Sequence, residues 1–250
     1  MSANPAGSTT RLIYGFHAVQ AKLRHDPEAI REILIDATRQ DARARGLLEH
    51  AQLQGIKVVA VDGKRLDSML PDARHQGVIC RVSGRQQLAR LDDVLDTLEE
   101  PAFLLVLDGV TDPRNLGACL RVADAVGAHA VIAPKDRAVG LTDVAVKTAS
   151  GAAETVPYVM VTNLARTLRE LKERDIWTIG TAGEATEDLY QATWPVATAW
   201  VLGAEGEGLR RLTRETCDTL IRIPMFGSVE SLNVSVAAGI CLYEARRRRG

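Results

Sequence analysis

The sequence predicts an α/β fold: a carboxyl-terminal domain with a mostly parallel sheet, preceded by a smaller α/β domain. Three observations carry this. The stretch "FLLVLDGV" is a continuous apolar run, as a strand covered on both faces requires. A turn and an amphipathic stretch then lead to a second apolar run, "HAVIAP", the layout of a strand–helix–strand unit. Ahead of both, the chain from Tyr14 to Leu70 alternates helical and strand patterns.

The opening "MSANPAGSTT" lacks the basic-then-apolar pattern of a secretory signal, and residues 1–10 read as a disordered lead-in. Residues 11–84 form the small domain. It holds a helix from Phe16 to Arg24, a strand at "REILIDA", a helix from Asp41 to Gln54 and a strand at "KVVAVD", and closes near "GVICRVSG". The polar, acidic segment at 85–101, helical in its second half, is the expected linker. From residue 102 to 250, further strands fit "ETVPYVMV", "IWTIGTA", "AWVLGA" and "LIRIPM". Helices fit "ACLRVADAVGA", "LARTLRELKERD" and "LNVSVAAGICLYEARRRR".

With 250 residues, 46% hydrophobic and 25% charged, the chain has the balance of an ordinary globular protein. No apolar run approaches the ~18 residues needed to span a membrane. The four cysteines, Cys80, Cys119, Cys217 and Cys241, lack metal-ligand spacing, so neither a metal site nor a disulfide framework is expected. A reducing cytoplasm fits this usage. Through residue 85 there are 13 Lys and Arg against 9 Asp and Glu; after it there are 18 against 23. A basic first domain points to a polyanionic partner as readily as to a solvated surface.

In open α/β sheets, ligands bind beyond the carboxyl ends of the strands. Three loops there carry unusual chemistry: "DGVTDPRNLG", "LGAEGEGL" and "IPMFGSVESLN". None is GxGxxG, and GxxxxGK[ST], HExxH and GxSxG are all missing, which argues against a nicotinamide-dependent oxidoreductase, a P-loop nucleotidase and the common hydrolases. Gly203, Gly206 and Gly208 around Glu205 allow a sharp turn or a close backbone approach to a ligand. Asn115 is placed in the turn and Arg121 on the helix that follows, flanked by Leu120 and Val122. A half-buried arginine needs an anion, either Glu205 or a phosphate. Ser231 and Asn233 are both good caps for a helix beginning near Leu232, but one cap explains only one of them.

"DPRNLGACLRVADAVGA", "VLGAEGEGL" and "IPMFGSVESLNVSVAAGI" together resemble the three motifs of the SpoU (TrmH) family of RNA ribose 2′-O-methyltransferases, in order and in spacing. "YGFHAVQAKL" and "HQGVICRV" resemble the substrate-binding domain of the branch that methylates a guanosine of 23S ribosomal RNA in the peptidyl-transferase region; a tRNA-directed relative is the nearest alternative. The resemblance implies a trefoil knot in the carboxyl-terminal domain, a ribosomal-protein-like RNA-binding fold in the first, and a homodimer. It implies S-adenosyl-L-methionine as methyl donor and ribosomal RNA as partner. It assigns main-chain contacts to the cofactor at Leu202, Gly203, Ile223 and Leu232, and catalytic roles to Asn115, Arg121, Glu205, Ser231 and Asn233. A non-catalytic RNA-binding assembly factor on the same fold is the reading from another functional class. His17 and His129 are expected to be packed or surface residues, and Lys147 and Ser150 to be structural at a strand edge. Arg246 to Arg249 touch RNA or merely decorate a helix end, where cations are favoured.

Overall fold

A computed structural model describes residues 10–71, 73–83 and 90–249. Most of the expected lead-in, and positions 85–89 of the expected linker, lie outside the described residues. The chain divides between residues 87 and 88 into two compact units.

The first unit is a four-stranded sheet of β1 (Thr10–Tyr14), β2 (Ile30–Asp36), β3 (Val58–Val61) and β4 (Val78–Ser83), in the order β1-β4-β2-β3. Helices α1 (Phe16–His25) and α2 (Ala42–Leu53) supply one layer, and the short α3 (Gly63–Met69) supplies part of the other. Strand alternation builds both layers from one segment. Ile33 and Ile35 join Phe16, Leu23 and Leu47, whereas Leu34 between them joins Ile79 and Leu66 on the opposite face. Asp41 starts α2 by accepting the N–H groups of Arg43 (3.0 Å) and Ala44 (3.2 Å).

The second unit is a seven-stranded sheet in which every pairing is parallel. Its strands are β5 (Phe103–Asp108), β6 (Ala130–Pro134), β7 (Tyr158–Val161), β8 (Trp177–Thr181), β9 (Glu187–Asp188), β10 (Thr198–Gly203) and β11 (Thr219–Arg222). Their order is β7-β6-β5-β10-β8-β11-β9. The helices are α4 (Leu91–Leu95), α5 (Pro113–Val126), α6 (Asp143–Ala149), α7 (Leu164–Glu173), α8 (Arg211–Thr216) and α9 (Val234–Arg249). β5 is buried throughout, which explains its unbroken apolar run. Phe103, Leu105 and Leu107 face the layer containing α5 and α9, and Leu104 and Val106 face the layer containing α7. α5 and α6 touch at Gly117, where an added Cβ would lie 2.5 Å from the Ala145 carbonyl oxygen and 2.6 Å from Thr148 Cβ.

Several boundaries differ from the sequence expectation. The segment "ETVPYVMV" contributes a strand only from Tyr158, because Ala152–Glu154 forms a 3-10 turn. α5 begins at Pro113, so Asn115 stands on its first turn and not in the loop. The cause is local: Asp112 accepts the Arg114 N–H at 2.7 Å, and Pro113 sits where a missing N–H costs nothing. α9 begins at Val234, two residues later than expected. Lys147 and Ser150 belong to α6 and its left-handed C-cap (φ 57°), not to a strand edge.

The terminal arginines are tied to their own chain. Arg248 lies over the Trp194 ring at 4.0 Å and donates to the carbonyls of Ala192 (2.5 Å) and Leu189 (3.0 Å). Arg249 covers Phe103 at 4.9 Å and donates to the carbonyls of Ala102 (3.3 Å), Val196 and Pro101. Bonds from Arg247 first, and then Arg248, pull the Glu244 carboxyl down to about 2. A depressed carboxylate adds stability above its unfolded value of 4.5 and loses it as pH falls toward 2. Glu244→Gln is therefore expected to flatten the acid limb of the stability–pH curve in that window, with little change at pH 2, as thermal melts across pH read out.

Candidate active site

β5 and β10 are neighbours, with Gly203 beside Asp108, so their carboxyl-terminal loops emerge side by side. The β10 loop turns back on itself through a bridge between Ala204 and Gly208, with Gly206 (φ 79°) and Gly208 (φ 67°) in the left-handed region that glycine tolerates. This sharp turn holds Glu205. The third loop runs from Ile223 into α9 and ends at Asn233, which caps the helix. Its side-chain oxygen accepts the Ser235 N–H at 2.9 Å, and its carbonyl accepts the Ala237 N–H at 3.0 Å.

Glu205 Oε1 joins the three loops. It accepts Asn115 Nδ2 at 3.2 Å, Asn233 Nδ2 at close range and the Val234 N–H at 3.4 Å. Asn233 Nδ2 also donates to Asn115 Oδ1 at 2.9 Å. A carboxylate only accepts, so three donors of this kind satisfy it, and the amino end of α9 favours its charge. Residues separated by as many as 118 positions thus meet in one network.

Beside the network lies a cavity of about 1080 Å³. Leu202, Gly203, Ile223 and Leu232 all line it, together with Glu205 and Ser231. Asn115, Asn233 and Arg121 are not on its wall; the two asparagines reach it through Glu205. Arg121 departs furthest from expectation. It is exposed and, among the described residues, has no hydrogen bond or ion pair, so Glu205 does not hold its guanidinium. Six positions beyond Asn115 on α5, it points about 120° away around the helix.

The four predicted wall residues fit a flat ring, and acids and arginines such as Asp188, Glu230 and Arg222 make the rest of the lining polar. Gly203 is packed so closely that a Cβ would overlap the backbone of Gly208 and Leu209, so at this point the wall is bare backbone. Leu202, Ile223 and Leu232 add apolar surface, and strand-end N–H and C=O groups supply directed contacts. An adenosine-bearing cofactor matches this donor set.

Two parts of the site were not anticipated. Thr181, which ends β8, and Ala182 and Gly183 after it line the same cavity; "TAG" closing an apolar strand was the available signal. Asp108 is fully buried at the end of β5 and holds the β10 loop, accepting Arg210 Nε at 2.5 Å and the Arg210 N–H at 3.0 Å. A charge closing an apolar strand was its signal. Burial pushes the thiols of Cys119, Cys217 and Cys241 up to about 12, so they remain protonated at neutral pH and are poor nucleophiles. Among the described residues, no cluster of His, Cys, Asp and Glu has metal-binding geometry, and no helix is long and apolar enough to cross a membrane. His129 is a packed residue: its Nδ1 accepts the Phe103 N–H at 3.0 Å, and its Nε2 meets Glu100 at 2.9 Å. His17 is exposed.

Residues 102–243 match the SpoU rRNA Methylase family. The chain belongs to the SpoU rRNA methylase family. Ahead of the SpoU segment, residues 12–88 match the domain described as RNA 2′-O ribose methyltransferase substrate binding. The SpoU chain is 60% identical over 242 residues to the 23S rRNA (guanosine-2′-O-)-methyltransferase RlmB of Ralstonia nicotianae, covering 97% of each. It is 56% identical over 242 residues to RlmB of Escherichia coli, covering 96% of this chain and 99% of that one. Among solved structures it is similar to the SpoU methyltransferase AviRb from Streptomyces viridochromogenes in complex with AdoMet. That likeness has a TM-score of 0.77 and 27% identity, over 96% of this chain and 90% of AviRb.

Proposed function

We propose that this protein transfers the methyl group of S-adenosyl-L-methionine to the ribose 2′-hydroxyl of a guanosine in 23S ribosomal RNA, in the cytoplasm. The observation that carries the reading is the convergence of Asn115, Glu205 and Asn233 on one network beside the cavity lined by Leu202, Gly203, Ile223 and Leu232. The RlmB relatives supply the nucleotide and the RNA. The target lies in the peptidyl-transferase region, as the resemblance implies.

When bound, the cofactor supplies an electrophilic methyl group. The chain's own residues do the rest. Leu202, Gly203, Ile223 and Leu232 hold the adenosine through main-chain atoms. Glu205 fixes the two asparagines, and Asn233 with Ser231 orients the ribose. Holding the reacting atoms about 3 Å apart is the proximity contribution. Arg121, permanently charged, binds a substrate phosphate and stabilises the developing alkoxide.

The protein acts as a homodimer, and the second copy supplies Arg121. Two features support this: Arg121 points away from Asn115 in its own subunit, and α9 exposes Val236 (49%) and Tyr243 (56%), two turns apart on one face. The chain also forms a trefoil knot. In support, β10 and β11 insert between earlier strands, and α9 returns to α5, where a Cβ added at Gly239 would lie 4.0 Å from Val122 Cγ2. The first unit grips the RNA while the second reacts.

The test uses tritiated S-adenosyl-L-methionine and a 23S rRNA transcript, followed by alkaline hydrolysis. A methylated 2′-oxygen cannot attack its own phosphodiester, so the modified position leaves a gap in the ladder. One gap at a guanosine is expected. Incorporation into tRNA alone, or none at all, overturns the assignment.

A further inference from the structure

The cations of the second unit differ in how they are partnered, and Arg121, Lys147, Arg169 and Arg222 are exposed without a hydrogen bond or ion pair among the described residues. On α7, α8 and around them most are engaged: Arg166 with Glu170 (2.8 Å), Lys172 with Asp218 (2.9 Å), Arg174 with Asp92 and Asp96, and Arg211 with Glu215 (2.9 Å). At the carboxyl edge above β5 and β6 the pattern reverses. Arg114, Lys135 and Arg137 are exposed and, among the described residues, their side chains form no hydrogen bond or ion pair.

These three are brought together by the fold. β5 and β6 are adjacent parallel strands, Val106 beside Ile132, so their following loops leave the same edge. The Val139 N–H donates to the Val110 carbonyl at 3.1 Å and ties the β6 loop to the β5 loop, four residues ahead of Arg114. Asp136, between Lys135 and Arg137, lies 3.9 Å from Arg210, the residue that anchors the Glu205 loop to Asp108. The one carboxylate within the β6 loop therefore faces Arg210 at the loose limit of an ion pair, and does not pair with Lys135 or Arg137. Of the other nearby carboxylates, Asp112 caps α5 and Asp143 opens α6. Arg137 itself is held in the left-handed region (φ 56°), which costs a bulky residue about 1–2 kcal/mol and persists only where surrounding contacts enforce it.

We propose that Lys135 and Arg137, with Arg114, bind backbone phosphates of the RNA next to the target ribose. The inference rests on the methyltransferase reading above and adds where the substrate strand enters. Three cations without an ion-pair partner on one rim, beside the Asn115–Glu205–Asn233 network, suit a polyanion whose repeat is independent of sequence. Contacts of this kind set register and carry no base specificity.

The test compares wild type with the Lys135→Gln/Arg137→Gln double variant by filter binding to a 23S rRNA transcript across a salt series. Binding is expected to weaken about tenfold at physiological salt. The slope of log K against log salt should fall by about 1.4, at ~0.7 for each single-strand phosphate that is no longer neutralised. Affinity for S-adenosyl-L-methionine by titration calorimetry should stay at the wild-type value, as should RNA binding of Arg169→Gln, an exposed cation on α7. Arg137→Gly guards against a folding artefact: it relieves the left-handed strain, so its melting temperature should rise while its salt slope falls by about 0.7. Unchanged affinity and slope in the double variant, with wild type still methylating the transcript, overturns the phosphate clamp alone. Wild type that neither binds nor methylates the transcript removes the clamp and the methyltransferase reading together.

Discussion

Gly203→Ala is expected to abolish binding of S-adenosyl-L-methionine. The new methyl group would overlap Gly208 and Leu209, which are main chain and cannot rotate away. Nor can Gly203 itself retreat, because β10 is locked beside β5 up to the Gly203–Asp108 pair. The loop must open instead, moving the cavity wall and Glu205 together. We expect affinity by titration calorimetry to fall at least about a hundredfold, the equivalent of ~2.7 kcal/mol. Gly127→Ala, at the end of α5 and away from the cavity, is the control. It has open space around its Cβ position and pays only for its positive φ, about 1–2 kcal/mol of stability. Wild-type cofactor affinity in Gly203→Ala would remove this glycine from the binding wall.

Asn233 carries the second large effect, and its two roles can be separated. As a helix cap it contributes about 1 kcal/mol. Aspartate caps equally well but sets a carboxylate against Glu205 Oε1, where the asparagine donates. Asn233→Asp should therefore keep a melting temperature close to wild type and lose turnover by about a hundredfold or more, the scale of losing one positioned polar group in a reaction centre. Near-normal turnover would reduce Asn233 to a cap. The same variant tests the shared site. Mixed with Arg121→Ala, also expected to be inactive, it should recover about a quarter of the wild-type rate, since half of randomly paired two-fold dimers are mixed and each has one intact centre. Recovery of nothing would place both residues in the same subunit's site.

The α/β class and the long strands were legible because burial on both faces leaves an unbroken apolar run, as in β5 and β10. α6 and α8 were not legible: at seven and six residues they span too few turns to show a period. Two-residue β9 had no pattern at all. The Asp112–Pro113 pair did announce a helix start, and reading it as a turn misplaced Asn115 by one element. Arg121 shows a different limit. Its neighbours Leu120 and Val122 suggested burial, yet successive helical residues point about 100° apart, so adjacency in sequence says little about exposure. The meeting of Asn115 with Asn233 depends on strand order, which no local pattern encodes; the rule that loops leave the carboxyl edge of a parallel sheet had put them on one side, and the resemblance had placed them in one site.

The bonds from Arg249 to Pro101, Ala102 and Val196 tie the end of the last helix to the segments that enter β5 and β10. Fraying the tail of α9 strips those carbonyls of their donor and uncovers Phe103, the start of the central strand. The helix tail and the entry to β5 are thus coupled, and exchange of the Phe103 to Leu105 amides with solvent deuterium becomes a gauge of how firmly the final helical turn is seated.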